Sequence, residues 1–336
     1  VETMADDDKV KLLEQIDRRG GGVFAVVGER GLGKTTLLHR MQGQRKSVTL
    51  VTCPPGGLTE LQPAIARALG LRAEASFDEI GEKLDQGGDD AALLLDDAHR
   101  LIRPTMGGLD AMDRLLEVAR KYSSRSAWVF AIDDVVWRFF ELARGARPAF
   151  DEALVLRRWQ EEAIVRLIRL RCKEAGVTPD FSVVIDDLPA DADAFDREEA
   201  RQRAEIAYSR MMWDYAEGNP GLAIHAWRSC LSLAEDGAAR VEPFEPADIA
   251  ELERLPDASL FVLRALVRLE DSSAREVSDA TMIPLAKVQD TLRYGQARGF
   301  VEFGDDNYSV PWPWYRAVTR FLRRRYLLHP TRPGAA

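Results

Sequence analysis

The chain has 336 residues, 46% of them hydrophobic and 30% charged, a balance that is ordinary for a globular fold and excludes wholesale disorder. Its formal net charge of −9 at pH 7 disfavours tight non-specific nucleic-acid binding and leaves a local basic face as the only route to it. No apolar run reaches the ~18 residues of a membrane span, and the acidic start at Asp6-Asp7-Asp8 lacks the basic and apolar regions of a signal peptide. No membrane segment and a cytoplasmic location are therefore expected, and a start at Val1 is compatible with the cytosolic part of a longer protein. Cys53, Cys172 and Cys230 have no zinc or disulfide spacing and read as reduced core thiols. The length favours more than one domain, and three are expected, over residues 1–155, 156–240 and 241–336.

Residues 5–19 read as a short amphipathic helix with Val10, Leu13 and Ile16 on one side, stopped by Gly20-Gly21-Gly22. Val23–Val27 is then a short apolar run of the kind expected for a strand buried on both faces. Ser47–Thr52, Ala91–Leu95 and Ala127–Ile132 repeat the pattern, separated by helical stretches such as Leu58–Leu69 and Leu109–Lys121. This alternation predicts an α/β fold with a parallel sheet. After about Leu156 the strand signals stop, and Gln160–Ala175, Glu198–Glu217 and Leu222–Ala234 have helical periodicity. Between them, Asp186–Asp196 reads as an exposed acidic loop. Past Pro243 and Pro246 come three predicted helices, Ala258–Leu269, Ala274–Thr281 and Pro284–Arg298. A predicted hairpin follows over Gly299–Val310, turning at Gly304-Asp305-Asp306-Asn307. Three helices followed by a hairpin suggest a winged helix.

The turn after the first strand, Gly28-Glu29-Arg30-Gly31-Leu32-Gly33-Lys34-Thr35, satisfies the Walker A pattern and lies between a predicted strand and a predicted helix. The glycines let successive backbone N–H groups face a phosphate chain, and the helix N-terminus adds positive potential. Lys34 then neutralises phosphate charge and the Thr35 hydroxyl is placed for Mg²⁺, with Thr36 closing the turn. ATP and Mg²⁺ are the implied ligands. Leu93-Leu94-Leu95-Asp96-Asp97 has the apolar-strand-then-acid form of a Walker B segment, with Asp96 assigned to the metal through water and Asp97 to the base that polarises the attacking water. Asp97 is one methylene shorter than the Glu more usual there, so slow turnover is expected. The bland reading is a strand that ends in two solvated acids.

Trp128-Val129-Phe130-Ala131-Ile132-Asp133 reads as the next central strand, making Asp133 or Asp134 a candidate γ-phosphate sensor and equally a helix N-cap for Val135–Leu142. Arg144 and Arg147 lie before Ala153–Leu156, placed for an arginine finger entering a neighbouring subunit, against a plain surface role. His99 is assigned no chemistry, because a lone histidine is more often structural.

With these residues in place, the chain resembles AAA+ ATPases of the branch containing origin-recognition proteins, transposition regulators and ExeA-type secretion ATPases, and overlaps the STAND signalling NTPases. The resemblance rests on Gly28–Thr35, Leu93–Asp97, the Leu156-Arg157-Arg158-Trp159 junction and Gly218-Asn219-Pro220. It implies a P-loop domain of the additional-strand type, a helical lid and a winged helix. It also implies that Asn219 and Pro220 lie against the adenine, the alternative being a capped helix start. Gly221 stands where many relatives have a sensor arginine, which strengthens the STAND comparison.

A regulatory ATPase switch that assembles as a homo-oligomer with ATP and acts on an unidentified protein partner is the first reading. A DNA-handling ATPase is the second. Between Lys287 and Arg325 there are eight basic residues against four acids, yet Asp305 and Asp306 occupy the hairpin tip where phosphate would approach. The tail from Pro311 to Leu328 combines aromatics with Arg320, Arg323, Arg324 and Arg325. It is read as a last helix with Val318, Phe321, Leu322 and Tyr326 packed and the arginines solvated.

Overall fold

The computed structural model describes residues 20–43, 47–145, 148–185, 193–233 and 239–328. The helix expected over residues 5–19, the candidate finger Arg147 and residues 186–192 of the acidic loop lie outside the described residues. The chain forms two compact units. One runs to Arg157 and also takes in Arg254–Pro311 and the stretch from Thr319; the other comprises Arg158–Glu253 and Trp312–Val318.

The first unit is built on five parallel strands, β1 (Gly22–Gly28), β2 (Ser47–Thr52), β3 (Ala91–Asp96), β4 (Ala127–Asp133) and β5 (Glu152–Val155), in the order β2-β3-β4-β1-β5. The strand ending in Asp96 is thus separated from the strand ending in Gly28 by β4, the additional strand. Helices α1 (Lys34–Gln42), α2 (Leu58–Ala68), α3 (Phe77–Asp85), α4 (Asp110–Tyr122) and α5 (Asp134–Arg144) complete the α/β layers. Alternate residues of one strand serve opposite faces. Leu93, Leu95, Trp128, Phe130 and Ile132 pack under α2, α3 and α4, whereas Ala92, Leu94, Val129 and Ala131 pack with Phe24 and Val26 against Leu37, Leu38 and Met41 of α1. Both faces being apolar explains why these strands read as continuous hydrophobic runs. Pairing in register sets Gly28 beside Asp133, so the phosphate turn and the end of β4 lie side by side at the carboxyl edge of the sheet.

The second unit holds α6 (Glu161–Glu174), α7 (Ala194–Ala216), α8 (Pro220–Ser229) and α9 (Ala250–Glu253). Three short strands accompany them, β6 (Pro179–Asp180), β7 (Leu231–Leu233) and β8 (Ala239–Val241), ordered β6-β8-β7. These strands correct the all-helical expectation. The helix expected over Leu222–Ala234 ends at Ser229 because Leu231 and Leu233 pair with Val241 and Ala239. Phe181, Tyr208 and Trp227 form the unit's aromatic centre, with ring centroids about 6 Å apart, and the Tyr208 hydroxyl donates to the Glu242 carbonyl at 2.7 Å. Gly218 is fixed by its surroundings, since its φ is +72° and a Cβ would come within 2.4 Å of the Trp159 carbonyl oxygen. Asn219 then caps α8 by accepting from the Leu222 N–H at 3.1 Å, with Pro220 at the first helical position.

The rest of the first unit contains α10 (Asp257–Leu269), α11 (Ala274–Thr281), α12 (Leu285–Ala297) and a hairpin of β9 (Glu302–Gly304) with β10 (Asn307–Ser309). A capping box between Ser273 and Glu276 starts α11. Asp305 and Asp306 both have positive φ, +51° and +62°, the backbone of a two-residue type I′ turn. The last helix, α13 (Trp312–Arg324), buries Val318, Phe321 and Leu322 as expected. Tyr326, expected to pack with them, is instead 94% exposed, with φ +58° just past the helix end.

Candidate nucleotide site

The phosphate turn leaves β1 at Gly28 and enters α1 at Lys34. Gly31 and Gly33 adopt φ of +89° and +96°, a conformation that L residues resist and that curls the backbone into a loop. The Leu32 N–H donates to the Glu29 carbonyl at 3.1 Å, closing the turn. Lys34 is buried; its Nζ donates to the Gly28 carbonyl at 2.7 Å and lies 3.7 Å from Asp133 Oδ2. Its ammonium therefore spans the loop at the place where phosphate charge would replace a carbonyl dipole. Thr35 and Thr36 are exposed at the mouth of α1, with Leu37 and Leu38 behind them in the core.

Asp96 is the last residue of β3 and is buried, its Oδ1 accepting the Asp97 N–H at 3.0 Å. Asp97 is left-handed, φ +52°, and turns the chain into a 3-10 helix over Ala98–Leu101. Its Oδ2 is 3.7 Å from Arg100 Nη2, and burial, reinforced by Glu270 and Asp96, pushes its carboxyl above the ordinary range. A raised carboxyl pKa suits a group that has to take a proton. Of the two roles anticipated for Asp133, the structure shows the helix cap. Its Oδ1 accepts the Val135 N–H at 2.9 Å and caps α5, while its Oδ2 faces Lys34. Burial raises its pKa to about 6 against the opposing pull of Lys34. Asp134 is paired with Arg138 on the first turn of α5 at 3.6 Å, so Asp133 alone of the two faces the lysine. Arg144, at the end of α5, forms an ion pair with Asp113 of α4.

Several contacts were not visible in the sequence. The Glu270 carboxylate, just past the end of α10, lies 3.8 Å from His99 Nε2, and His99 is fully buried beside Asp97. Burial lowers the His99 pKa and keeps the imidazole neutral. Within the phosphate turn, Arg30 Nη1 donates to the Val310 carbonyl at 3.0 Å, and Glu29, 4% exposed, binds Arg323 Nη2 at 2.7 Å. Arg323 is thus no solvated tail arginine, because its partner is the second residue of the turn. A helix-borne basic residue with one buried face would have been the only local sign of it. Cys53, which follows β2, is a buried thiol pushed far up in pKa by burial, consistent with an inert core cysteine.

Strand order, phosphate turn and paired acids define the first unit as a P-loop NTPase fold of the additional-strand type. Residues 17–132 match the family described as "AAA domain". No curated protein matches the chain. Among solved structures it is similar to the Orc1 protein of Aeropyrum pernix in complex with DNA, at 18% identity and a TM-score of 0.44, covering 97% of this chain and 95% of that one. It is also similar to a Thermotoga maritima RuvB variant, at 16% identity and 0.40, covering 94% of each chain. Similarity to Cdc6p of Pyrobaculum aerophilum is at 16% identity and 0.36, covering 96% and 93%. The fold assignment rests on the strand order and the turn, not on these scores.

Proposed function

We propose that the protein is an ATP-binding, slowly hydrolysing regulatory switch of AAA+ or STAND type, in which nucleotide state governs homo-oligomer assembly or the binding of a protein partner. The observation that carries this reading is the contact of the α10–β10 segment and α13 with the nucleotide machinery itself: Val310 and Arg323 on the phosphate turn, and Glu270 beside the Asp97–His99 pair. A segment of three helices and a hairpin bound to those residues is poised to feel what the turn binds.

The donor set fits Mg²⁺, since a threonine hydroxyl and a buried carboxylate are hard oxygen ligands. Thr35 and Asp96 would hold the ion, which supplies neutralisation of phosphate charge when bound. The chain's own residues do the rest. Lys34 exchanges the Gly28 carbonyl for phosphate oxygen, and the turn's N–H groups line the chain of phosphates. Asp97 accepts a proton from the attacking water, and Asp133 orients that water or the terminal phosphate across from Lys34. Asn219 and Pro220 are assigned to the adenine and Arg144 and Arg147 to a finger acting in trans, which for Arg144 requires release from Asp113.

A fluorescent ATP analogue titrated into folded Lys34→Ala protein tests the site. Binding should be lost, and undiminished affinity would remove the phosphate assignment. The second reading, DNA handling, is favoured by Lys287, Arg293 and Arg298, which are all exposed along α12 and just past its end.

A further inference from the structure

Among the described residues, one group of side chains has the composition and spacing to hold a metal ion outside the phosphate turn: Asp97, His99 and Glu270, whose ligand atoms lie within 4.8 Å of one another. Both ring nitrogens of His99 are buried without a hydrogen-bond partner among the described residues. That is a costly state for an imidazole, which ordinarily has one donor and one acceptor to satisfy. Glu270 is brought to it by a backbone that few non-glycine residues adopt, φ +58° and ψ −105°, at the end of α10. The strained cap aims a carboxylate at an unsatisfied ring. The side chains of Asp97 and Glu270 remain 24% and 17% exposed, which gives a path for an ion. Arg100 holds Asp97 Oδ2 at 3.7 Å, which leaves the second oxygen of that carboxylate for a ligand bond.

We propose that Asp97, His99 and Glu270 form a binding site for a borderline divalent cation of the Zn²⁺ class, distinct from the Mg²⁺ position of Thr35 and Asp96. Imidazole with two carboxylates is a set that zinc and cobalt accept and magnesium does not favour. Three protein ligands leave a fourth position for water. The 3.8 Å between His99 Nε2 and Glu270 Oε2 needs only a small contraction to reach the edge of a tetrahedron with ligand bonds of about 2.0–2.2 Å. A cation here ties the end of α10 to the residue that follows β3. On the reading of Asp97 as the base, it also withholds that carboxylate from water, so the ion is an inhibitor of turnover.

The test uses the full chain without nucleotide. Co²⁺ is followed by its visible absorption, and Zn²⁺ by competition with a chromophoric chelator. One ion per chain is expected, with affinity reduced at least about tenfold in Glu270→Gln and in His99→Asn and unchanged in Thr35→Ala. His99 is buried and its variant is at risk of misfolding, so Glu270→Gln, checked by its thermal melt, carries the comparison. Equal affinity in wild type and Glu270→Gln overturns the site, as does a loss confined to Thr35→Ala. A second arm measures ATP turnover. With Mg²⁺ present throughout, Zn²⁺ should suppress the wild-type rate and leave the Glu270→Gln rate close to its own zinc-free value. Absence of any turnover in zinc-free wild type supplied with Mg·ATP would refute the ATPase reading while the binding result still decides the site.

Discussion

Replacing Arg323 by alanine leaves Glu29 buried in the phosphate turn without its guanidinium. At 2.7 Å and an effective dielectric near 20, two unit charges attract by about 6 kcal/mol, but removing both from water cancels much of that. The variant keeps the cost of burying Glu29 and loses the guanidinium's share of the compensation; breaking a buried pair typically costs about 3–5 kcal/mol. The guanidinium side chain is 18% exposed and partly hydrated, so the lower end, about 3 kcal/mol, is the expected loss. For a folding unit of this size that lowers the melting temperature by about 6–12 °C. Differential scanning calorimetry of the nucleotide-free full chain is the assay. Arg324→Ala, one residue on and exposed, is the control and should stay within about 0.5 kcal/mol. Adding Glu29→Gln to Arg323→Ala should recover part of the loss, with a coupling of about 2 kcal/mol in the double-mutant cycle. If Arg323→Ala melts like Arg324→Ala, the pair contributes nothing and the anchoring of the turn is refuted.

Asp97→Asn should keep Mg·ATP binding and reduce hydrolysis, since the amide takes no proton, whereas Asp96→Asn should weaken the metal-bound complex; equal loss of binding in both would contradict the division of roles. Burial raises the Asp133 pKa to about 6, above its ordinary value of 3.8, so its contribution to stability is complete below about 3.8 and is lost as pH rises through about 6. Asp133→Asn keeps the α5 cap and abolishes this dependence. Between about pH 4.5 and 7.5 the nucleotide-free wild type should lose about 2 kcal/mol relative to the variant, and parallel curves would refute the buried carboxyl. With ATP at physiological salt, duplex-DNA binding should be weak. Micromolar affinity with a salt slope of about −0.9 per contacted phosphate, lost on replacing Lys287, Arg293 and Arg298, would promote the DNA-handling reading.

The phosphate turn and the strands around it were legible because their determinants are local. Gly31 and Gly33 have to accept positive φ, and β3 and β4 are apolar on both faces, so each run announces its own burial. Asp96, Asp97 and Asp133 followed as the polar ends of those runs. His99 and Glu270 did not, because nothing within a few residues of either shows that a helix end some 170 positions away, at 270 − 99 = 171, comes to the ring. Arg323 had the look of a solvated basic residue for the same reason, since its partner is 294 positions distant. In the second unit, Leu231 and Leu233 fitted a helical period as well as a strand, and only pairing with Val241 and Ala239 decides between them.

That separation of 294 positions also places the phosphate turn in time. At synthesis rates of about 5–20 residues per second, Arg323 leaves the ribosome about 15–60 s after Glu29. Through that interval the sheet can assemble while Glu29 waits for its cation and Arg30 for the Val310 carbonyl. The nucleotide turn, though written near the start of the chain, is among the last places to acquire its finished surroundings. A nascent chain therefore carries this turn unanchored until Val310 and Arg323 have been made.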